Sequence, residues 1–187
     1  MTPVILTGGR LVLTELREAD IERVLEYCRD PHFEQYMATP WPYEREHAEF
    51  FVRDYAGGGW QRGDEATWAI REQIDGELLG AIGVRIPSGS VGFWLGAPHR
   101  GRGLMTEAFE LVAEWALSPD GAGLERLTWE AAIGNTASAA LARAVGFRYR
   151  GERPGEVLGR DGEPVPSWTA TMRADDRGTR SEWPMLP

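Results

Sequence analysis

The sequence predicts one mixed α/β domain, a mostly antiparallel central sheet of about seven strands flanked by about four helices. Three observations carry that expectation. Apolar residues alternate in some stretches and recur at helical spacing in others, in the order β–α–α–β–β–β–α–β–α–β–β. Asp75-Gly76 joins two alternating runs, which is a hairpin signal. The strand Ser90–Leu95 breaks at Pro98, passes through Gly101 and Gly103, and becomes a helix with apolar residues at 104, 108, 111, 112 and 115.

Each element has a local reason. Residues 10–14, Arg-Leu-Val-Leu-Thr, alternate as a short strand. A helix follows with Ile21, Val24, Leu25 and Cys28 on one face and Asp20 as a first-turn acid. Residues 30–43 read as a loop, broken by Pro31, Pro40 and Pro42 and rich in aromatics that suit a pocket wall or its own packing. A second helix spans about 44–55 and meets Gly57-Gly58-Gly59. Strands are expected over 66–73 and 77–86, where Gly80 and Gly83 imply a bulge or a close backbone approach. The helix from Gly103 to about Leu117 is apolar on more than one side, hence buried, and Ser118-Pro119-Asp120-Gly121 ends it. A strand over 124–133 leads to Asn135 and a helix over 136–145, closed by Gly146 at the left-handed cap position. Strands over 147–152 and 165–173 finish the sheet, with Arg160-Asp161-Gly162-Glu163 between them. The domain is thus expected over 1–173, with 174–187 a polar tail that is ordered only if Trp183 finds a pocket.

Composition narrows the function. A chain of 187 residues is long enough for one domain with a real core. The net charge of −9 argues against nucleic acid as the main partner, and it suits either steering of a cationic acceptor or plain solubility. No apolar run reaches the ~18 residues of a membrane helix, and the start of the chain has no signal-peptide pattern. Cys28 is the only cysteine, so no internal disulfide or sulfur-rich zinc site is expected, and a cytoplasmic protein is the plain reading.

The Gly-rich turn is the main chemical signal. A strand that feeds such a turn into a helix N-terminus presents unpartnered N–H groups and positive dipole charge to an anion. Gly101 and Gly103 let a diphosphate approach the main chain, with Arg100 and Arg102 beside it. A P-loop would need a Lys-Ser/Thr pair that is missing here. A dinucleotide fingerprint would need a small residue where Thr106 stands and an acid ending the next strand, whereas Glu125 is expected to start one. What remains is a loop that binds nothing, or the Arg-Gly-x-Gly turn of the GNAT N-acetyltransferases, which Arg100–Ala108 closely resembles. Asn135-x-x-Ser138, with Gly146-Phe147 eight residues after the serine, is similar to the RimJ/RimL-like branch of that superfamily.

The resemblance, over roughly 10–173, implies a GNAT-like fold and an acetyl-CoA-dependent N-acetyltransferase. By the same resemblance, main-chain N–H groups of Arg100, Gly101, Arg102, Gly103, Leu104 and Met105, with Thr106 assisting, hold the CoA pyrophosphate. Trp94, Leu95 and Gly96 run beside the pantetheine, a split between this strand and the next admits the thioester, and Asn135 approaches from the other side. The acceptor is a primary amine, a protein N-terminus or a small molecule, attacking directly in a ternary complex. Relatives of this kind are often homodimers. Many carry a tyrosine as proton donor where this chain has Ala142, which leaves Ser138, another hydroxyl such as that of Tyr149, or water. Glu130 is the first candidate base, ahead of His47, Asp64 and Glu65, while His99 is expected to be exposed beside the turn. A catalytically silent acyl-CoA-binding module is the alternative.

Overall fold

The computed structural model describes residues 1–37, 39–159 and 162–186. Its strands and longer helical segments are β1 (Leu6–Gly8), β2 (Leu11–Thr14), α1 (Ile21–Cys28), α2 (Pro31–Tyr36), α3 (Arg45–Phe50), α4 (Gly58–Arg62), β3 (Glu65–Arg71), β4 (Gly80–Arg85), β5 (Ser90–Leu95), α5 (Leu104–Leu117), β6 (Leu127–Ala132), α6 (Thr136–Val145), β7 (Arg148–Leu158) and β8 (Pro164–Met172). Among the described residues the strands form one eight-stranded sheet, ordered β1-β2-β3-β4-β5-β6-β8-β7. Every neighbouring pair is antiparallel except β5 and β6. The mixed α/β architecture therefore stands, with one strand more than expected: β1 folds back on β2 through a turn at Gly9, whose φ of 49° suits glycine.

Alternation along the strands loads both faces of the sheet. On one face Trp68, Ile82 and Trp129 pack with Phe109, Val112 and Phe147 from α5 and the end of α6. On the other, Ala69 and Trp94 meet Val24, Cys28, Phe33 and Val52. Residues 93 and 94 show the switch, since Phe93 contacts Phe109 while Trp94 contacts Tyr27, Phe33 and Phe51. Burial in the second cluster pushes the Cys28 thiol up to about 12, as expected of a packing residue and not a nucleophile.

Two local expectations are corrected. Residues 31–36 are helical, because Pro31 occupies the first helical turn and the Asp30 side chain caps the helix by accepting the His32 N–H at 2.8 Å. The Gly57-Gly58-Gly59 run does not stop the preceding helix. A π-helical segment, Phe51–Gly57, carries α3 into α4, and the left-handed cap comes at Gly63. Gly59 is needed for space, since a Cβ there would lie 2.6 Å from that of Glu65. Asp20 stands in a first helical turn as expected, and it has a further role in the core. It is buried against Arg71, with Oδ2 accepting from the guanidinium at 2.5 Å and from the Arg17 N–H at 2.8 Å.

The end of the chain comes back to the sheet. The Gly178 N–H donates to Val145 O at 3.1 Å, Asp176 pairs with Arg148, and Trp183 is 2% exposed in a slot formed by Trp129 and Tyr149. Gly146 makes room for this return, because a Cβ there would sit 2.3 Å from Asp176 O. Of the predicted connection between the last strands, Arg160 and Asp161 lie outside the described residues.

Candidate active site

The sheet is open at one place. β5 and β6 are registered only at Ser90↔Thr128, where the Thr128 N–H reaches Gly89 O at 2.8 Å. Where they part, a cleft of about 620 Å³ joins the two faces of the sheet. It is lined by β5 and the turn after it, the first turn of α5, one side of α6, α2, the middle of β6, and the ends of β3 and β4 at Glu65 and Arg85. Of the residues singled out from the sequence, Trp94, Leu95, Arg100, Gly101, Gly103, Leu104, Met105, Thr106, Glu130, Asn135 and Ser138 border it.

The first turn of α5 is an open donor set. Gly103 stands at the N-cap with φ 75° and supplies no side-chain cap, and the first helical bond is Glu107 N–H to Gly103 O. The N–H groups of Leu104, Met105 and Thr106 precede that bond, at the positive end of a 14-residue helix. A Cβ at Gly101 would meet nothing within 4 Å, so the turn has open space in front of it. These residues fit a diphosphate. The arginine side chains are committed elsewhere: Arg100 bonds Leu95 O at 3.0 Å and Asp30 at 2.7 Å, and Arg102 pairs with Glu72 at 3.1 Å. Both guanidinium groups are thus paired with carboxylates, and the donors left facing the open space are those of the main chain.

The β5 main chain is sorted by its ladder with β4. Gly96 N–H donates to Leu79 O at 2.9 Å, so Leu95 and Gly80 form a non-hydrogen-bonded pair. The N–H of Leu95 therefore faces away from β4, toward the gap. The polar groups of Trp94 turn the other way, onto Ala81, and the Gly96 N–H is spent on β4, so of the three residues only Leu95 offers an amide to the cleft. Gly80 supplies the close approach anticipated for it, since a Cβ there would lie 2.2 Å from Trp94 O. Gly96 lies outside the cleft wall, against the Tyr27 ring.

Across the gap, Asn135 caps α6 by accepting the Ser138 N–H at 3.2 Å. The Ser138 hydroxyl accepts from the Trp129 indole N–H at 3.1 Å. Tyr36, on α2, reaches over to Gly134 O at 3.4 Å, while Asp30 at the other end of α2 holds Arg100. That short helix is tethered on both banks of the cleft. Ala142 is buried in the main core and brings no hydroxyl, and the Tyr149 ring packs on Trp183, away from the cleft.

Carboxylates collect on the other face of the sheet. Glu130 Oε1 accepts the Glu156 N–H at 2.8 Å, while Oε2 is buried with no hydrogen-bond donor among the described residues and with Arg153 at 3.5 Å. Glu65 is 7% exposed and accepts the Thr67 hydroxyl at 3.2 Å, with Arg85 at 3.6 Å. Burial drives its pKa above the ordinary carboxylate value, against the opposing pull of Tyr55, Arg85 and Thr67. The remaining candidates fall away: His47 Nδ1 accepts the Glu44 N–H, Asp64 pairs with Arg62, and neither borders the cleft. His99 is not exposed as expected. Its Nε2 lies 2.7 Å from Tyr27 Oη, its Nδ1 is buried without a partner, and burial with nearby Arg102 lowers its pKa. Tyr55, Arg85 and Glu156 went unread in the sequence. The β3–β4 register sets Glu65 opposite Arg85, while Tyr55 comes from the π-helical segment and Glu156 from β7, bonded to Glu130.

The geometry agrees with what is known of other proteins. No curated protein sequence matches the chain. Among solved structures, a Vibrio cholerae protein assigned as a ribosomal-protein-serine acetyltransferase superposes with a TM-score of 0.77 at 21% identity, covering 92% of this chain and 99% of that one. RimL, the ribosomal L7/L12 alpha-N-protein acetyltransferase, gives a TM-score of 0.74 at 19% identity, covering 91% and 94%. The microcin C7 self-immunity acetyltransferase MccE, solved with acetyl-CoA and AMP, gives 0.73 at 16% identity, covering 89% and 93%. At these identities the likeness is one of fold. The family model described as the acetyltransferase (GNAT) domain matches residues 10–148, well over half of the chain. With the phosphate-type turn, the parted strands and this match together, the chain belongs to the GNAT acetyltransferase family.

Proposed function

We propose that the protein transfers the acetyl group of acetyl-CoA to a primary amine, by direct attack within a ternary complex. The observation that carries this reading is the uncapped N-terminus of α5, opening into the same cleft as the gap between β5 and β6. Acetyl-CoA, when bound, supplies an activated thioester whose C–S bond breaks as the C–N bond to the amine forms. The main-chain N–H groups from Gly101 to Thr106 bind its diphosphate. Asn135 and the Leu95 main chain border the pantetheine arm. The Leu95 N–H, aimed into the gap, is placed to donate to a developing oxyanion, a role worth roughly 3–4 kcal/mol where such donors have been removed.

Two proton movements fall to this chain. The amine arrives largely as an ammonium ion at neutral pH. Glu130, with a buried oxygen lacking a donor, accepts its proton directly or through water, and Glu65 stands on the same side of the sheet. Ser138 relays to the departing sulfur the second proton that the nitrogen loses as the amide forms, taking that proton as it gives its own, so the serine ends as a neutral hydroxyl. Its oxygen already accepts from Trp129, which leaves its own hydrogen to give. The acceptor is a protein N-terminal α-amine or a small-molecule amine. RimL among the fold neighbours supports the first, and the acidic chain with its three cleft carboxylates, Glu65, Glu130 and Glu156, supports a cationic small molecule.

A thermal-shift titration tests the cofactor. At acetyl-CoA a hundredfold above Kd the folded state gains ~2.7 kcal/mol, and ATP and NADH should give no saturable shift. Thiol release from acetyl-CoA across a panel of amines then tests transfer. Binding without release under every amine would favour the silent acyl-CoA-binding module.

A further inference from the structure

The Ser138 hydroxyl is placed by its neighbours as well as by α6. A serine oxygen has two acceptor sites and one hydrogen, and an indole N–H only donates. The Trp129 N–H, 3.1 Å away, fills one acceptor site and so limits the directions left to the hydroxyl hydrogen. Trp129 is 2% exposed and packs edge-on against Trp183, ring centroids 5.4 Å apart at 61°. Trp183 is itself fixed. Its Nε1 donates to Phe147 O at 3.3 Å, Tyr149 flanks it at 5.5 Å, and the Ser181 hydroxyl reaches the same carbonyl at 3.1 Å. A continuous series of contacts thus links the C-terminal segment to a hydroxyl on the cleft wall.

We propose that Trp183 is a positioning residue for the transfer reaction: packed on Trp129, it holds that indole N–H on Ser138 and keeps the Ser138 proton aimed into the cleft. The proposal rests on Ser138 being the proton donor to sulfur. Without the Trp183 ring, the outer side of Trp129 opens to water, the indole gains freedom to tilt, and the serine hydroxyl loses its fixed donor. Cofactor binding is separate, because it rests on main-chain N–H groups at the start of α5 and at Leu95, whereas the two indole N–H groups are spent on Ser138, Phe147 O and the Ser181 hydroxyl.

The test combines a spectroscopic readout with kinetics. In ¹⁵N NMR, hydrogen exchange of the Trp129 indole should accelerate at least about tenfold in Trp183→Ala, and Trp183→Phe should retain near wild-type protection. In Trp183→Ala, kcat should fall about fivefold or more with the KM for acetyl-CoA within about twofold, and Trp183→Phe should recover most of it. In a Ser138→Ala background, adding Trp183→Ala should lower kcat no further. Unchanged indole exchange, or an undiminished Trp183→Ala effect in that background, overturns the proposal alone. Wild-type kcat in Ser138→Ala overturns the proton-donor reading and the proposal with it. If Trp183→Ala fails to fold, Trp183→Leu keeps apolar volume without the indole edge and is judged by the same comparisons.

Discussion

At the residue scale, Glu65 shows how environment sets chemistry. It opens β3 beneath Gly59 and beside Gly83, two glycines whose missing side chains make room for it, since a Cβ at Gly83 would lie 2.9 Å from its Oε1. Its folded pKa is raised, so the native state binds a proton more tightly than the unfolded chain does. The stability linked to this carboxyl is therefore fully present below the unfolded value and is lost as pH rises through the folded one. Glu65→Gln cannot titrate. Its melting temperature relative to wild type should increase between pH 4 and pH 7, and a pH-independent difference would contradict the raised pKa. The sequence named Glu65 only as a lesser base. Asn135, by contrast, was legible both as a cap and as a cleft residue, because capping is a local act that needs no tertiary partner.

At the element scale, the start of α5 was readable in full, and so was the αL cap at Gly146, where φ is 114°. Gly103 adopts φ 75°, a region costing roughly 1–2 kcal/mol per residue for side chains with a Cβ. Gly103→Val should therefore keep the fold while displacing the N–H groups of Leu104 and Met105. Calorimetry should show acetyl-CoA affinity lowered at least about tenfold, a loss of about 1.4 kcal/mol or more. Affinity equal to wild type would remove the turn from cofactor binding. What the sequence misplaced at this scale depended on partners elsewhere. The strands expected over 66–73 and 77–86 carried no cross-strand register, and the observed one sets Glu65 opposite Arg85. A slip of one residue exchanges the faces of a strand, and here it decides whether an arginine or an isoleucine lies beside the Glu65 carboxylate. Pro31 was likewise read as a breaker although it sits where a helix tolerates proline best.

At the scale of the whole molecule, the sheet carries a core on each face, and a buried ion pair ties the second to the strands. Arg71 is 1% exposed and bonds Asp20 at 2.5 Å, the Thr14 hydroxyl at 2.9 Å and Gly76 O at 2.9 Å. One guanidinium thus joins β2, β3, the approach to α1 and the β3–β4 turn. Asp20→Ala leaves that charge buried without its partner, and urea unfolding should show a loss of about 3–5 kcal/mol. A loss below about 1 kcal/mol would mean that water reaches Arg71. The fold class was legible because periodicity and turn residues are written locally. The return of Trp183 was not, since its slot is assembled from β6, β7 and the end of α6.

An interrupted sheet has a consequence for traffic. Because β5 and β6 touch at one register position and then separate, the opening reaches both faces of the sheet, with the first turns of α5 and α6 on one and α2 and the carboxylate cluster on the other. On the proposed reaction, two ligands would come from opposite sides and meet end to end without sharing a doorway. Neither would have to leave before the other is admitted.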